Sequence, residues 1–289
     1  MLASALPGIL PPLTQVEALE LTTIYSVANL LTDGQLITTR PCRCPHHTIS
    51  AVGLVGGGSN LSPGEISLAH HGILFLDELA EFRRDVLEVL RQPLETGKII
   101  LNRSLGRAVY PAAFTLVAAS NPCPCGYHGS IKRQCTCSDE AIRRYQQKLS
   151  GPILDRLDLQ IFVPEVEVKT LTTPNLPLAE NSATIRKRVM AARAKQEKRY
   201  RHLALLTNAS LSSSQIRSHL KIDKQALKLL QMATDKFSLS ARSYFKLIKV
   251  AQTIADLSPG EDSIITQESS RSEERRVGKE CRSRWSPYH

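Results

Sequence analysis

The chain has 289 residues, room for one large or two moderate domains at about 150 residues each. Its 42% hydrophobic and 22% charged residues exclude a collagen, a wholly disordered chain and a disulfide-packed miniprotein. The 37 basic and 27 acidic residues give a net charge of +10, which suits a polyanionic partner without proving one; residues 270–289 carry six basic and three acidic residues, leaving +7 for the body.

The opening MLASALPGILPP lacks the basic n-region of a secretory signal, and no apolar run approaches the roughly 20 residues that span a bilayer. A cytoplasmic protein with no membrane partner is expected. Residues 15–32 read as a helix and 35–60 as a loop region punctuated by Gly and Pro. Ile73-Leu74-Phe75-Leu76, bounded by Gly72 and by Asp77-Glu78, suits a buried parallel strand. Leu79, Phe82, Val86 and Leu90 then recur at helical spacing until Pro93 and Gly97 stop the pattern. A hairpin is expected over GKIILNRSLGRAVYPAAF with residues 104–106 near its tip, followed by a second buried strand over 114–119 and a third at 159–163. Residues 166–182 form a connector, and beyond it the chain reads as helices over 183–201 with Ser182 as N-cap, 213–219, 224–237 and 240–257. Strands alternating with helices, then helices alone, imply an α/β domain over 1–165 and a helical domain over 183–268. The tail from 269 to 289 has no apolar periodicity and resembles translated adapter or vector sequence; a native basic arm is the alternative.

The chemistry concentrates in HGILFLDELAEF. A parallel strand ending in Asp-Glu sets two carboxylates where the sheet opens to solvent, so Asp77 could hold Mg²⁺ and Glu78 polarise a water; solvated acids at an ordinary strand end are the alternative. Asn121 follows the second strand, where its amide could orient a water or a phosphate oxygen, or only form a turn. Two such strand ends favour a nucleotide hydrolase.

RPCRCPHHTIS, GGGSNLSPGEISLAHHGILFLDELAEF, LRQPLETGKIILNRS, FTLVAASNPCPCG, SGPILDRLDL and LSARSYFKLIKVAQTIADL together resemble the magnesium-chelatase-like AAA+ ATPases of bacteria, most closely the ComM/YifB type, over residues 1–268. The resemblance implies a partial P-loop NTPase core, a parallel sheet flanked by helices, followed by an all-α lid. It makes Asp77 and Glu78 the Walker B pair, Asn121 the sensor 1 residue, Arg156 the arginine finger that reaches a neighbouring subunit's nucleotide, and Arg242 the sensor 2 arginine. Guanidinium groups serve there because charge spreads over the transferring phosphoryl group; without the family, both arginines would read as surface or salt-bridge residues. ATP and Mg²⁺ as cofactors, DNA as partner and a ring, a hexamer, follow from the same resemblance. No G-x-x-x-x-G-K-[ST] occurs, and in the family this motif directly precedes a stretch similar to MLASALPGILPPLT, with a Lon-protease-like domain further upstream. The chain as given is therefore expected to be a fragment that binds ATP weakly or not at all.

Cys123-Pro-Cys125 and Cys135-Thr-Cys137, nine residues apart, could close a structural tetrahedral zinc site; four free or buried thiols are the alternative. Cys42, Cys44, His46 and His47 are too close in sequence to converge without strain, so His46 and His47 are expected to belong to a structural or subunit-contact loop, and His70 and His71 likewise. The hairpin carries Lys98, Arg103 and Arg107. Charge alone gives a solvated basic turn, whereas in related motors such a hairpin enters the ring's channel and tracks DNA phosphates. The function expected is an ATP-driven DNA motor for branch migration in recombination or natural transformation. A chelatase-type remodeller of a protein partner, whose motor subunits do not generally carry the NPCPCG loop, and a non-enzymatic zinc-bearing interaction module are the alternatives.

Overall fold

The computed structural model describes the chain except residues 1, 32–33, 59, 104–105, 131, 150, 164–179, 204–206, 260–263, 267–268 and 270–289. It divides into two compact units, Met1–Leu157 and Asp158–His289.

In the first unit, helix α1 (Gln15–Val27) opens with a capping box. Thr14 Oγ1 accepts from the Glu17 amide at 3.2 Å while Glu17 Oε2 accepts from the Thr14 amide at 2.9 Å, satisfying two otherwise orphaned donors. The helix ends short of residue 32, and Asn29 just beyond it takes the left-handed conformation (φ 56°). Residues 35–60 hold more order than a loop: strand β1 (Cys42–Arg43) and helix α2 (Ala51–Val55), the latter capped by Ser50. Two residues leave no periodicity to read, so β1 exists only through its partner. That partner is β2 (Ile73–Leu76).

The run after β2 is not one helix. A 3₁₀ turn (Leu79–Glu81), α3 (Arg84–Glu88) and α4 (Arg91–Thr96) follow one another, with Phe82 and Arg83 extended between the first two. The apolar positions nonetheless do what their spacing implied: Leu79, Phe82, Val86 and Leu90 are all buried in the core with Leu54, Ile66, Leu74 and Leu76. Pro93 does not stop the pattern either. It lies in the first turn of α4, where no intrahelical partner is lost, and Gly97 ends the helix at φ 64°. The hairpin forms as β3 (Lys98–Arg103) antiparallel to β4 (Gly106–Pro111), its tip at 104–105 lying outside the described residues. Strand β5 (Thr115–Ala118) pairs parallel with β2 from Ile73↔Thr115 to Leu76↔Ala118, giving the sheet order β1-β2-β5. Helix α5 (Asp139–Gln147) follows, capped by Ser138.

The strand expected at 159–163 is absent. Ile161 and Val163 are 69% and 63% exposed, and no described strand lies alongside to accept the ladder. The connector at 166–182 and the tail at 269–289 fall almost wholly outside the described residues.

The second unit is helical: α6 (Ser182–Tyr200), α7 (Ser213–His219), α8 (Lys224–Phe237) and α9 (Ala241–Leu257). The cap of α6 is Asn181 rather than Ser182; its Oδ1 accepts from the Thr184 amide at 2.8 Å. Tyr200, Leu211, Ile216, Leu230, Ile248 and Ala251 belong to one buried apolar cluster. A parallel sheet flanked by helices, then an all-α unit, is the architecture of a partial P-loop NTPase core with its lid. No helix among the described residues is long and apolar enough to cross a membrane.

Candidate functional site

The carboxyl end of the sheet is built from the ladder outward. Beyond the Leu76↔Ala118 pair, the Ala119 amide donates to Leu76 O at 3.0 Å and the Leu79 amide to Ala119 O at 2.8 Å. These bonds bracket Asp77 and Glu78 on one strand and lead into Ser120 and Asn121 on the other, so all three sequence-predicted polar residues share one end of the sheet. Asp77, Glu78 and Asn121 are exposed there. Asp77 Oδ1 accepts from the Glu78 amide at 3.0 Å. Glu78 is left-handed (φ 52°, ψ 49°), a conformation that costs a non-glycine residue about 1–2 kcal/mol and that concentrates at functional sites. Hard carboxylate oxygens are the donor set that Mg²⁺ takes.

The structure adds a neighbour the sequence did not announce. His47 Nδ1 lies 3.4 Å from Glu78 Oε2, with the His47 ring edge-on to Phe82 at 6.4 Å. Only the pairing of β1 with β2 delivers this loop, and β1 was invisible in the sequence. His46 turns instead to Thr48, whose Oγ1 is 2.9 Å from Nδ1. Cys42 and Cys44 are exposed with their sulfurs 3.9 Å apart, and they do not gather with the two histidines into a ligand group among the described residues.

Arg156 is only 10% exposed and is ion-paired with Glu95 of α4 in its own unit. Arg242 is exposed in the first turn of α9, on the second unit. On the hairpin, the register Asn102↔Arg107 sets Lys98, Asn102 and Arg107 on one face, while Ile99 on the other is buried. Lys98 and Arg107 are exposed together with Ile100 and Val109, and the side chain of Arg103 lies outside the described residues.

The four cysteines converge. The sulfurs of Cys123, Cys125, Cys135 and Cys137 all lie within 4.8 Å of one another, with Cys123–Cys125 at 3.4 Å, Cys125–Cys135 at 3.5 Å and Cys123–Cys135 at 3.7 Å. Four ligands at about 2.3 Å around a tetrahedral zinc would stand roughly 3.8 Å apart, so the set fits the ion. Backbone amides of Tyr127 and Thr136 point at Cys125 and pull its thiol down to about 5. The Cys137 amide draws on Cys135, but burial and the crowding thiols outweigh it and push Cys135 up to about 12. Amide donors aimed at sulfur are the outer shell that a thiolate metal site uses.

Glu20, His70 and His71 also gather within 4.8 Å. The Ala113 amide donates to His70 Nδ1 at 3.0 Å, so in the neutral ring Nε2 carries the proton and faces Glu20 Oε2 at 3.3 Å. Burial holds His70 at about 4, in the neutral form. A nitrogen that carries a proton has no lone pair for a metal. With Arg40, which bonds Glu17 at 2.9 Å and His71 O at 2.7 Å, this trio ties α1 to the start of β2.

Residues 1–171 match the family described as magnesium chelatase, subunit ChlI, and residues 179–271 match its C-terminal family. The chain belongs to the magnesium chelatase ChlI family. It is 44% identical over 268 residues to YifB of Escherichia coli (93% of this chain, 51% of that protein). It is 43% identical over 264 residues to the competence protein ComM of Haemophilus influenzae (91% and 50%). The chain thus spans about half the length of the curated relatives it matches.

Proposed function

We propose that this chain forms part of the catalytic core, without the phosphate-binding loop, and the lid of an AAA+ ATPase whose intact protein works as a ring on DNA, driving branch migration in recombination or natural transformation. The ATPase reading rests on Asp77 and Glu78 ending one parallel strand while Asn121 follows its neighbour. In this reading Asp77 would supply a carboxylate to hold the Mg²⁺ that accompanies ATP, an ion that would neutralise charge on the phosphates. Glu78 takes the proton of the attacking water, Asn121 orients that water or the γ-phosphate, and Arg242 and a neighbouring subunit's Arg156, released from its ion pair with Glu95, meet the charge that spreads over the phosphoryl group. The DNA reading is supported by the exposed basic face of the hairpin and by the likeness to a competence protein. Zinc is the metal whose geometry the four cysteines suit.

A chelatase-type motor acting on a protein partner is the second reading, favoured by the ChlI description of the family. The two separate on the full-length protein. ATP hydrolysis should rise when forked or branched DNA is added; stimulation by a protein partner alone would establish the second reading. Glu78→Gln should lower turnover by about 10²-fold or more while nucleotide binding persists. Retained turnover would remove Glu78 from its role.

A further inference from the structure

The cysteine site lies directly downstream of Asn121, and the segment between them has little else to hold it. From Ser120 to Ser138 no described residue is in a helix or strand, and Cys123 is the only buried side chain among them. An irregular stretch this long with a single buried thiol has too little apolar burial to offset the entropy of ordering it. Its fixed points are therefore few. Upstream, the sheet ladder ends at Ala119. Downstream, Cys123 Sγ accepts from the His128 amide at 3.3 Å and contacts Cys125 and Cys135. Between them, Pro122 O accepts from Gln146 Nε2 of α5 at 3.3 Å. Without a metal, sulfurs at 3.4–3.7 Å bring only weak contacts, whereas a shared cation converts the same four sulfurs into one rigid node and closes the loop between the two cysteine pairs.

The node also stands close to the catalytic end of the sheet. Tyr145 of α5 is buried in one core cluster with Leu76 and Leu79, the residues that flank Asp77 and Glu78. Helix α5 thus packs into the core beneath the Walker-B-like strand end while its next residue, Gln146, holds the carbonyl of Pro122 directly after Asn121.

We propose that zinc held by Cys123, Cys125, Cys135 and Cys137 is the positioning anchor of Asn121, fixing the chain two residues beyond it so that its amide stays at the mouth of the sheet. The proposal rests on the reading of Asp77, Glu78 and Asn121 as nucleotide-hydrolysing residues. The cysteines would act through Asn121 and touch no substrate.

The test uses the full-length protein, with zinc measured by elemental analysis, ATP-analogue affinity, steady-state hydrolysis and hydrogen exchange of the peptide covering residues 119–125. Cys135→Ser is chosen because it is remote in sequence from Asn121. It should lose the metal, raise exchange in that peptide and lower kcat by about tenfold or more, with nucleotide affinity within about twofold. Asn121→Ala should give a similar loss of kcat, and the double variant no further loss, because both remove one function. If Cys135→Ser folds poorly, chelation and zinc re-addition on the wild type and on Asn121→Ala supply the same comparison. Full kcat without zinc, unchanged exchange at 119–125, or additive losses would overturn the proposal, as would a wild-type protein free of zinc. Retained turnover in Glu78→Gln would instead strike the underlying site assignment, and zinc content would be unaffected by that result.

Discussion

The side chain of Asp256 has no exposure to solvent, yet it accepts bonds from Arg199 at 3.1 Å, Asn208 at 2.8 Å and Gln252 at 3.1 Å. Burial alone would raise its carboxyl; the Arg199 and Asn208 bonds and the guanidinium charge outweigh that and hold it below the ordinary carboxylate range. A depressed folded value means the contribution is complete above the unfolded pKa of about 3.9 and fades as pH falls through the folded one. Asp256→Ala should therefore cost about 3 kcal/mol at pH 7 by denaturant titration, with the gap to wild type narrowing below about pH 4. A constant gap across that window would remove the ion pair as its source. Nothing in the sequence pointed to this network, because its members are polar residues up to 57 positions apart that a helical wheel assigns to solvent. Glu78 and Asn121 were legible for the opposite reason. Each stands two residues beyond the end of a short apolar run whose burial is a local property of the sequence.

Two glycines show how differently one residue type is used by the elements around it. A Cβ on Gly72 would meet Pro41 O at 2.0 Å, where the chain entering β2 crosses the residue before β1. A Cβ on Gly97 would meet nothing within 4 Å, but the φ of 64° remains. Gly72→Ala should thus cost about 3 kcal/mol and loosen β1 from β2, whereas Gly97→Ala should cost about 1 kcal/mol through backbone strain alone. Thermal or chemical melts of the two variants distinguish them, and equal losses would refute the steric account. The element boundaries tell a related story. The four-residue strands β2 and β5 and the helices α7 and α8 were readable from the sequence, while β1 was not, because two residues carry no period. The stretch from Leu79 to Leu90 kept its apolar face and lost its continuity, since Phe82 and Arg83 extend the chain without changing which side chains reach the core.

For the molecule as a whole, the net charge of +10 matters less than where exposed basic residues gather. Lys98 and Arg107 share one face of the hairpin by register, beside exposed Ile100 and Val109. Replacing both by Glu in the full-length protein should weaken DNA binding and reduce the slope of log affinity against log salt by about 2, if each neutralises one phosphate. An unchanged slope in anisotropy titrations would take the hairpin out of the DNA path. The sequence by itself determined the α/β-then-helical order, the family, the hairpin and the pairing of a carboxylate strand end with Asn121, because each is written in short windows of apolar spacing or in motif order. Only the tertiary structure decided that Arg156 pairs with Glu95, that His47 meets Glu78, that His70 keeps a proton where a metal would need a lone pair, and that two CxC pairs close into one cluster. These are contacts between segments far apart in the chain, fixed by strand pairing and loop closure, and no local pattern encodes the distance between their ends.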